Sequence, residues 1–333
     1  MIAYSILDLV RVTLETDARG AIDNARDLAI HAEAWGYKRF WVAEHHNTVG
    51  IASAATSLVV NHIAAGTHRI RVGAGGIMLP NHAPLIIAEQ FGTLAQLHPG
   101  RIDLGLGRAP GTDQQTVRAL RRPISGVSSF PQDILEIQSY FSDDAANREI
   151  QAVPAAGTNV PLWVLGSSSY GARLAAELGL PFAFASHFSP EMLVLALKLY
   201  RTGFKPSAQL ARPHVMIGVN IIAAETAQEA HRLATSQQMS FADVFRGDYG
   251  LSKPPIEDID SYWSPQERGK VNEVLAKSII GNADDVRAGI EALQRETGAD
   301  ELMIVSDIYH HQQRLSSFEI IASVMREMNT ASR

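Results

Sequence analysis

Short apolar runs of strand type alternate with longer stretches of helical spacing along the whole chain, and this alternation constrains the fold more than any other feature. Residues 2–7 read as a strand, 17–35 as a helix closed by Gly36, 37–43 as a strand and 51–65 as a helix rich in small residues. Strand 69–74, helix 84–97, strand 101–106 and a helix within 126–144 follow. The second part continues with strand 161–165, helix 172–178, strand 181–185, helix 190–203, strand 214–223 and helix 227–245. A short helix around 269–277, helix 283–297, strand 301–306 and helix 315–328 complete the chain. About eight strands and at least eight helices result. Strands separated by helices imply right-handed βαβ units and a parallel sheet. A doubly wound sheet and a (β/α)8 TIM barrel both fit. The length of 333 residues favours the barrel, whose usual size is about 250 residues plus insertions. The expected fold is therefore α/β, one barrel domain over residues 1–333. Residues 247–268, with Pro254, Pro255 and Pro265 among charged and aromatic residues, break the alternation and read as an insertion or lid.

Composition removes several function classes. The chain contains no cysteine, so a disulfide, a thiolate nucleophile and a Cys-ligated metal are excluded. Net charge is −6 and no long basic run occurs, which argues against nucleic acid as a partner. No apolar stretch reaches ~18 residues, so no membrane-spanning helix is expected. The N-terminus carries no basic segment before its apolar run, so it does not read as a signal peptide, and the expected location is the cytoplasm.

In a barrel of this kind the chemistry sits at the C-terminal ends of strands. The unusual residues of this chain fall there. Gly73, Gly75 and Gly76 end one strand; Gly107, Arg108 and Gly111 end the next. Glycines in such places allow close backbone approach, either in an ordinary turn or to a ligand, and two successive cases favour a ligand. Gly166-Ser167-Ser168-Ser169-Tyr170-Gly171 joins a strand to a helix N-terminus, where free N–H groups and serine hydroxyls suit a phosphate. Arg108 can supply a charge-assisted contact to the same phosphate. Glu44-His45-His46 is the densest titratable cluster. It reads as an acid/base or hydrogen-bonding group, or as a hydrogen-bond network at the barrel end, rather than as a zinc site, because its spacing is not His-Glu-x-x-His. His187 either contacts a ligand or serves the structure. His310-His311 reads as surface or loop-lining. Asp8, Asp103 and Asp113 form no pair suited to two-carboxylate hydrolysis.

Three stretches, WVAEHHN, VGAGGIMLPNHAPLIIAEQFGTLAQLHPGRIDLGLGRAPG and the Gly166–Gly171 serine loop, resemble the bacterial luciferase-like monooxygenase family. The resemblance runs from Tyr4 to about Met328, is densest over residues 40–111, and is closest to the family's non-luminescent, single-chain oxidoreductases. It implies a (β/α)8 barrel with FMN at its C-terminal face. It implies that His45 is the catalytic histidine beside the flavin, and that Gly75 and Gly76 form a cis-linked pair under the ring. Arg108, Gly166, Ser167, Ser168, Ser169 and Tyr170 then hold the FMN phosphate, with Gly107 and His187 near the cofactor. Gly107 stands where the luciferase α subunit has a cysteine, and His187 where it has a tryptophan, which argues against an aldehyde substrate and light emission. The implied activity is oxidation of a small organic substrate by O2 and reduced FMN. A separate NAD(P)H:flavin reductase supplies the flavin, no metal takes part, and the assembly is a homodimer. Two alternatives remain on the same barrel: a deazaflavin-dependent dehydrogenase and a non-catalytic flavin-binding protein.

Overall fold

Nine parallel strands appear among the described residues: β1 (Ala3–Asp8), β2 (Arg39–Val42), β3 (Arg71–Met78), β4 (Ile102–Gly107), β5 (Leu162–Gly166), β6 (Phe182–Phe184), β7 (Val215–Ala223), β8 (Ile279–Gly281) and β9 (Glu301–Val305). Eight of them pair in the order β1-β2-β3-β4-β5-β6-β7-β9, and β9 returns to β1, closing the barrel. The structure is a computed structural model that describes residues 2–109, 112–121 and 129–331. Gly111, part of the loop 109–128 and the first residues of the helix expected within 126–144 lie outside them.

All eight barrel strands fall where the alternation places them. Two differences concern strands. β3 does not end at Ala74; it continues through Gly75 and Gly76, joined by a cis peptide, to Met78, with a register shift against β4 between Ala74 and Ile77. β8 is an additional strand. Its three residues pair with the last three of β7, outside the barrel, and so short a run carries no readable period.

Helices flank the strands: α1 (Ala18–Trp35), α2 (Thr56–Ala65), α3 (Pro84–Leu97), α4 (Gln114–Ala119), α5 (Phe130–Phe141), α6 (Ser169–Leu178), α7 (Leu193–Gly203), α8 (Ala227–Arg246), α9 (Pro265–Val274), α10 (Ala283–Thr297) and α11 (His311–Ala331). α2 starts later than expected because Ile51 and Ala52 pair with the turn after β1. α6 starts three residues before 172 and α7 three after 190. α9 starts at Pro265 because Ser264 and Glu267 form a reciprocal capping box. α11 is longer at both ends. His311 Nε2 bonds Asp27 Oδ2 at 2.8 Å, and Asn329 clasps the backbone of Ile2 at 2.9 and 3.1 Å. His311 is thus a bracket between α11 and α1, while His310 is half exposed beside Glu15.

The barrel interior is layered. At the N-terminal ends of the strands lies a buried ionic layer. Arg39 Nε bonds Glu301 Oε1 at 2.7 Å and its Nη1 bonds Asp103 Oδ2 at 2.7 Å. The Arg39 guanidinium also lies 4.7 Å from the Trp163 ring. Above it, Leu7, Trp41, Trp163, Ala183, Met216 and Met303 form a small apolar layer, separate from the larger core between strands and helices. β3 and β4 approach closely through glycines: a Cβ on Gly76 would lie 2.5 Å from the Gly105 carbonyl oxygen. Gly76→Ala is therefore expected to destabilise the protein by about 1–3 kcal/mol, as overpacking does, with thermal unfolding as the measurement.

The insertion is not a free lid. Gly247 ends α8 in the left-handed region at φ 80°. Ser252 then pairs with the turn after β1, accepting from the Leu14 N–H at 3.1 Å. Lys253 Nζ donates to Asp243 Oδ2 at 2.8 Å and to the Tyr262 hydroxyl at 2.6 Å, and that hydroxyl donates to Asp243 Oδ1 at 2.6 Å. These bonds anchor the segment, and its residues 248–251 line the cavity at the C-terminal end of the barrel.

Candidate active site

A cavity of about 770 Å³ opens at the C-terminal end of the barrel, above the apolar layer of Leu7, Trp41, Met216 and Met303. Of the candidate site residues, His45, Gly75, Gly76, Gly107, Arg108, Gly166, Ser167, Ser168, Tyr170 and His187 all line it. Ser169, the first residue of α6, does not.

One side of the cavity is built for an anion. β5 ends at Gly166, and α6 begins at Ser169 after the N-cap Ser168. No side chain caps α6 and no acidic residue lies in its first turn, so its N–H groups and positive end face outward uncompensated. Arg108 is exposed at the end of β4, stacked 4.1 Å from the Tyr170 ring. That stacking fixes the cation beside the helix end.

The histidines divide by environment. Glu44 is fully buried, and its Oε1 accepts from His46 Nε2 at 2.6 Å and His82 Nε2 at 2.7 Å, while Oε2 accepts from the Met78 N–H at 3.0 Å. Burial pushes the Glu44 carboxyl up, but the bonds from His82, Met78 and His46 outweigh it and hold the group below its usual range. Glu44, His46 and His82 form the group of possible metal ligands found among the described residues, their ligand atoms within 4.8 Å of one another, and here both histidines are hydrogen-bonded to the Glu44 carboxylate. The network ties the segment after β2 to the end of β3 and the turn beyond it, while His45, which lines the cavity beside His46, takes no part in it.

His45 is pushed down to about 4, by burial first and then by the charge of Arg11, against the opposing pull of Glu44. His187 is likewise pushed down to about 4 by burial, against the pull of Asp307. Both imidazoles are neutral at pH 7. Stability is therefore expected to fall as pH drops from about 6.5 toward 4, since the unfolded chain binds protons there that the folded one does not. A denaturant midpoint series over that range measures it.

Arg11 and Asp307 are site residues that a reading of strand ends misses. Arg11 Nη2 pairs with Asp307 Oδ2 at 3.0 Å across the ends of β1 and β9. Val10 sits at φ 54°, unusual for a β-branched residue, with its N–H held by Asp8 Oδ1 at 2.8 Å. That turn directs Arg11 to the cavity. A signal exists for Asp307, which immediately follows strand 301–306; Arg11 lies further from its strand. Asn220 and Gln237 also line the cavity, bonded to each other at 3.0 Å. Of the three aspartates, Asp103 belongs to the ionic layer, Asp8 pairs with Arg314 at 2.9 Å, and Asp113 caps α4 and accepts from Asn47.

The chain and its barrel have known counterparts. The sequence profile of luciferase-like monooxygenases matches residues 2–301. A luciferase-like monooxygenase of Escherichia coli K12 is 51% identical over 328 residues, covering 98% of each chain. An N-acetyl-S-alkylcysteine monooxygenase of Bacillus subtilis is 35% identical over 333 residues, covering 98% of each. Among solved structures, apo-MsnO8 superposes with a TM-score of 0.88 at 30% identity, covering 98% of this chain and 99% of its own. The same fold occurs at 17% identity in the oxygenating component of a 3,6-diketocamphane monooxygenase solved with FMN, and at 12% in an F420-dependent secondary alcohol dehydrogenase, both with a TM-score of 0.70. A closed parallel barrel, a C-terminal cavity and a match over nearly the whole chain agree: this protein belongs to the luciferase-like monooxygenase family.

Proposed function

We propose that the protein is an FMN-dependent monooxygenase that uses reduced FMN and O2 to oxidise a small organic substrate. The observation that carries this reading is the pairing of an uncapped α6 N-terminus with the stacked Arg108 at one end of a cavity whose volume of about 770 Å³ admits a flavin and a substrate together. Those groups fit a phosphate dianion. The floor beside it is glycine backbone at Gly75, Gly76 and Gly107, against which a flat ring can lie. The diketocamphane enzyme of the same fold binds FMN, and the Bacillus relative is a monooxygenase, which supports the choice.

Bound reduced flavin would supply the electrons that activate O2. The chain's own residues do the rest. Arg108, Ser167, Ser168 and the α6 N–H groups hold the phosphate. Gly75 and Gly76 support the ring. His45 presents a neutral imidazole to the cavity beside it. Residues 248–251, which line the cavity, limit water over the site. The reduced flavin comes from a separate NAD(P)H:flavin reductase. The protein acts as a homodimer in the cytoplasm, with the half-exposed or exposed Leu58 of α2 and Ile86 of α3 as apolar contacts, which sedimentation would test.

The test is anaerobic titration with photoreduced FMN, followed by reaction with 18O2 over a panel of thioethers, ketones and aldehydes. Saturable binding and 18O in an organic product are expected. Preferential binding of the deazaflavin, with hydride transfer independent of O2, would overturn the reading, as would FMN binding without any product. Arg108→Leu is expected to weaken FMN binding by about 10–100-fold, the worth of about 1.5–3 kcal/mol for hydrogen bonds to a charged group, measured by fluorescence quenching.

A further inference from the structure

His45 and His187 stand apart from the chain's other cavity groups because neither ring nitrogen of either has a hydrogen-bond partner among the described residues. Both Nδ1 atoms are buried without one. The Nε2 atoms are not buried, and both residues line the cavity, so Nε2 is the nitrogen that faces its interior. They follow β2 and β6, which are four apart in a ring of eight, so the two residues line the same cavity from opposite sides of the barrel.

The environment of each Nδ1 selects a tautomer. The His187 ring edge lies so close to Gly218 that a Cβ there would collide with Nδ1. The Gly218 carbonyl already accepts from Ser186 Oγ at 2.6 Å, and the His187 carbonyl accepts from Asn220 Nδ2 at 2.6 Å. A buried N–H without an acceptor is rarer than an acceptor without a donor. The proton therefore belongs on Nε2, in the cavity. Burial keeps both rings neutral at pH 7.

The other polar groups around the cavity do not answer these donors. Asp307 is engaged by Arg11 through one oxygen at 3.0 and 3.1 Å, and that pair is neutral overall. Asn220 Oδ1 accepts from Gln237. Glu44 and His46 are committed to each other. The two Nε2 atoms are thus left without a partner among the described residues, in walls that include Phe188 and Phe241.

We propose that His45 and His187 form a two-donor site for an oxygen acceptor, a carbonyl or carboxylate, on the organic substrate. The inference rests on the reading that this cavity takes a substrate beside the flavin. It assigns His187 to the substrate rather than to the cofactor.

Long-range 1H–15N correlation spectra of histidine-labelled protein test it, with His45→Gln and His187→Gln used for assignment. At pH 7 both residues are expected as Nε2–H tautomers. Hexanamide or hexanoate is expected to shift both Nε2–H resonances, and hexylamine neither. Hexanoate, bearing charge, would also raise the pH at which both rings protonate; hexanamide would not, which separates the two sources of oxygen. His187→Leu is expected to weaken probe binding about tenfold, the loss of one hydrogen bond, while His187→Gln, which keeps an N–H near the same place, restores most of it. An Nδ1–H tautomer or an imidazolium at pH 7 in either residue overturns the proposal. So do oxygen probes that leave either resonance unmoved, or hexylamine that moves both. FMN binding is followed by fluorescence in the same samples. Its failure in samples where the oxygen probes shift both Nε2–H resonances would sink the flavin reading and leave the two-donor site standing.

Discussion

Replacing Glu301 by alanine is expected to remove about 3–5 kcal/mol of folding stability, the cost of leaving one partner of a buried ion pair without the other. Glu301 is fully buried and accepts from Arg39 Nε at 2.7 Å and Arg39 Nη2 at 3.2 Å. It also receives the hydroxyl of Ser5, Lys38 Nζ at 3.3 Å and His214 Nε2 at 3.4 Å. One carboxylate therefore connects β1, β2, β7 and β9 at the closed end of the barrel. Without it, Arg39 keeps Asp103 but loses its second counter-charge in a site it cannot leave, since the guanidinium lies between Trp41 at 5.6 Å and Trp163 at 4.7 Å. Urea unfolding measures the loss. A change under about 1 kcal/mol would mean that water enters the layer and takes over the role of the carboxylate. The same group sets an acid limit. Burial pushes Glu301 up, but His214, Arg39 and Lys38 pull it far below the usual carboxylate range. Its contribution is complete above the unfolded value near 4.5 and is lost as pH falls toward the folded value. A Glu301→Gln variant is expected to show a shallower fall in stability below pH 4.5 than the parent protein.

The second large effect is expected at His45. Leucine there should reduce turnover of the substrate identified by 18O2 screening by about 10²–10⁴, the range for a side chain that places or shares a proton at the reacting centre. The melting temperature should stay level or rise, because the substitution also removes a buried Nδ1 that has no partner. The combination separates a role in chemistry from a role in folding. Turnover within about threefold of the parent would place the reacting atoms elsewhere in the cavity. The neutral state of His45, which titrates near 4, adds a further mark: kcat/KM should show no inflection from this residue between about pH 6 and 8.

Much of the site is readable because barrels place their chemistry at strand ends. Gly75-Gly76, Gly107-Arg108 and Gly166–Tyr170 can be found by looking just past each apolar run, and the structure gathers them around one cavity, Ser169 excepted. Ser169 is adjacent to that loop in sequence, but α6 has already begun there. Glu44-His45-His46 can be seen as a cluster but not divided. Burial turns Glu44 and His46 into a bracket with His82, a residue remote in sequence, and leaves His45 in the cavity lining without a hydrogen-bond partner for its buried Nδ1. Arg11 escapes because an unusual backbone angle at Val10 directs it inward, and a left-handed valine has no sequence signature. The insertion looks loose from its prolines, but Ser252, Lys253 and Tyr262 bind it to β1's turn and to α8.

What the chain's order of residues determined by itself was local: the periods that make each strand and helix, the glycines and caps that end them, and hence the alternation that permits a barrel. Closure was decided by the tertiary structure. The ladder that seals it pairs Ala3–Ile6 with Glu301–Ile304, from opposite ends of the chain, and no local period encodes such a pairing. The protonation of the site was decided there too. A histidine in sequence has a titration near neutrality; burial at the barrel mouth moves His45 and His187 to about 4 and leaves each with a buried Nδ1 that has no partner.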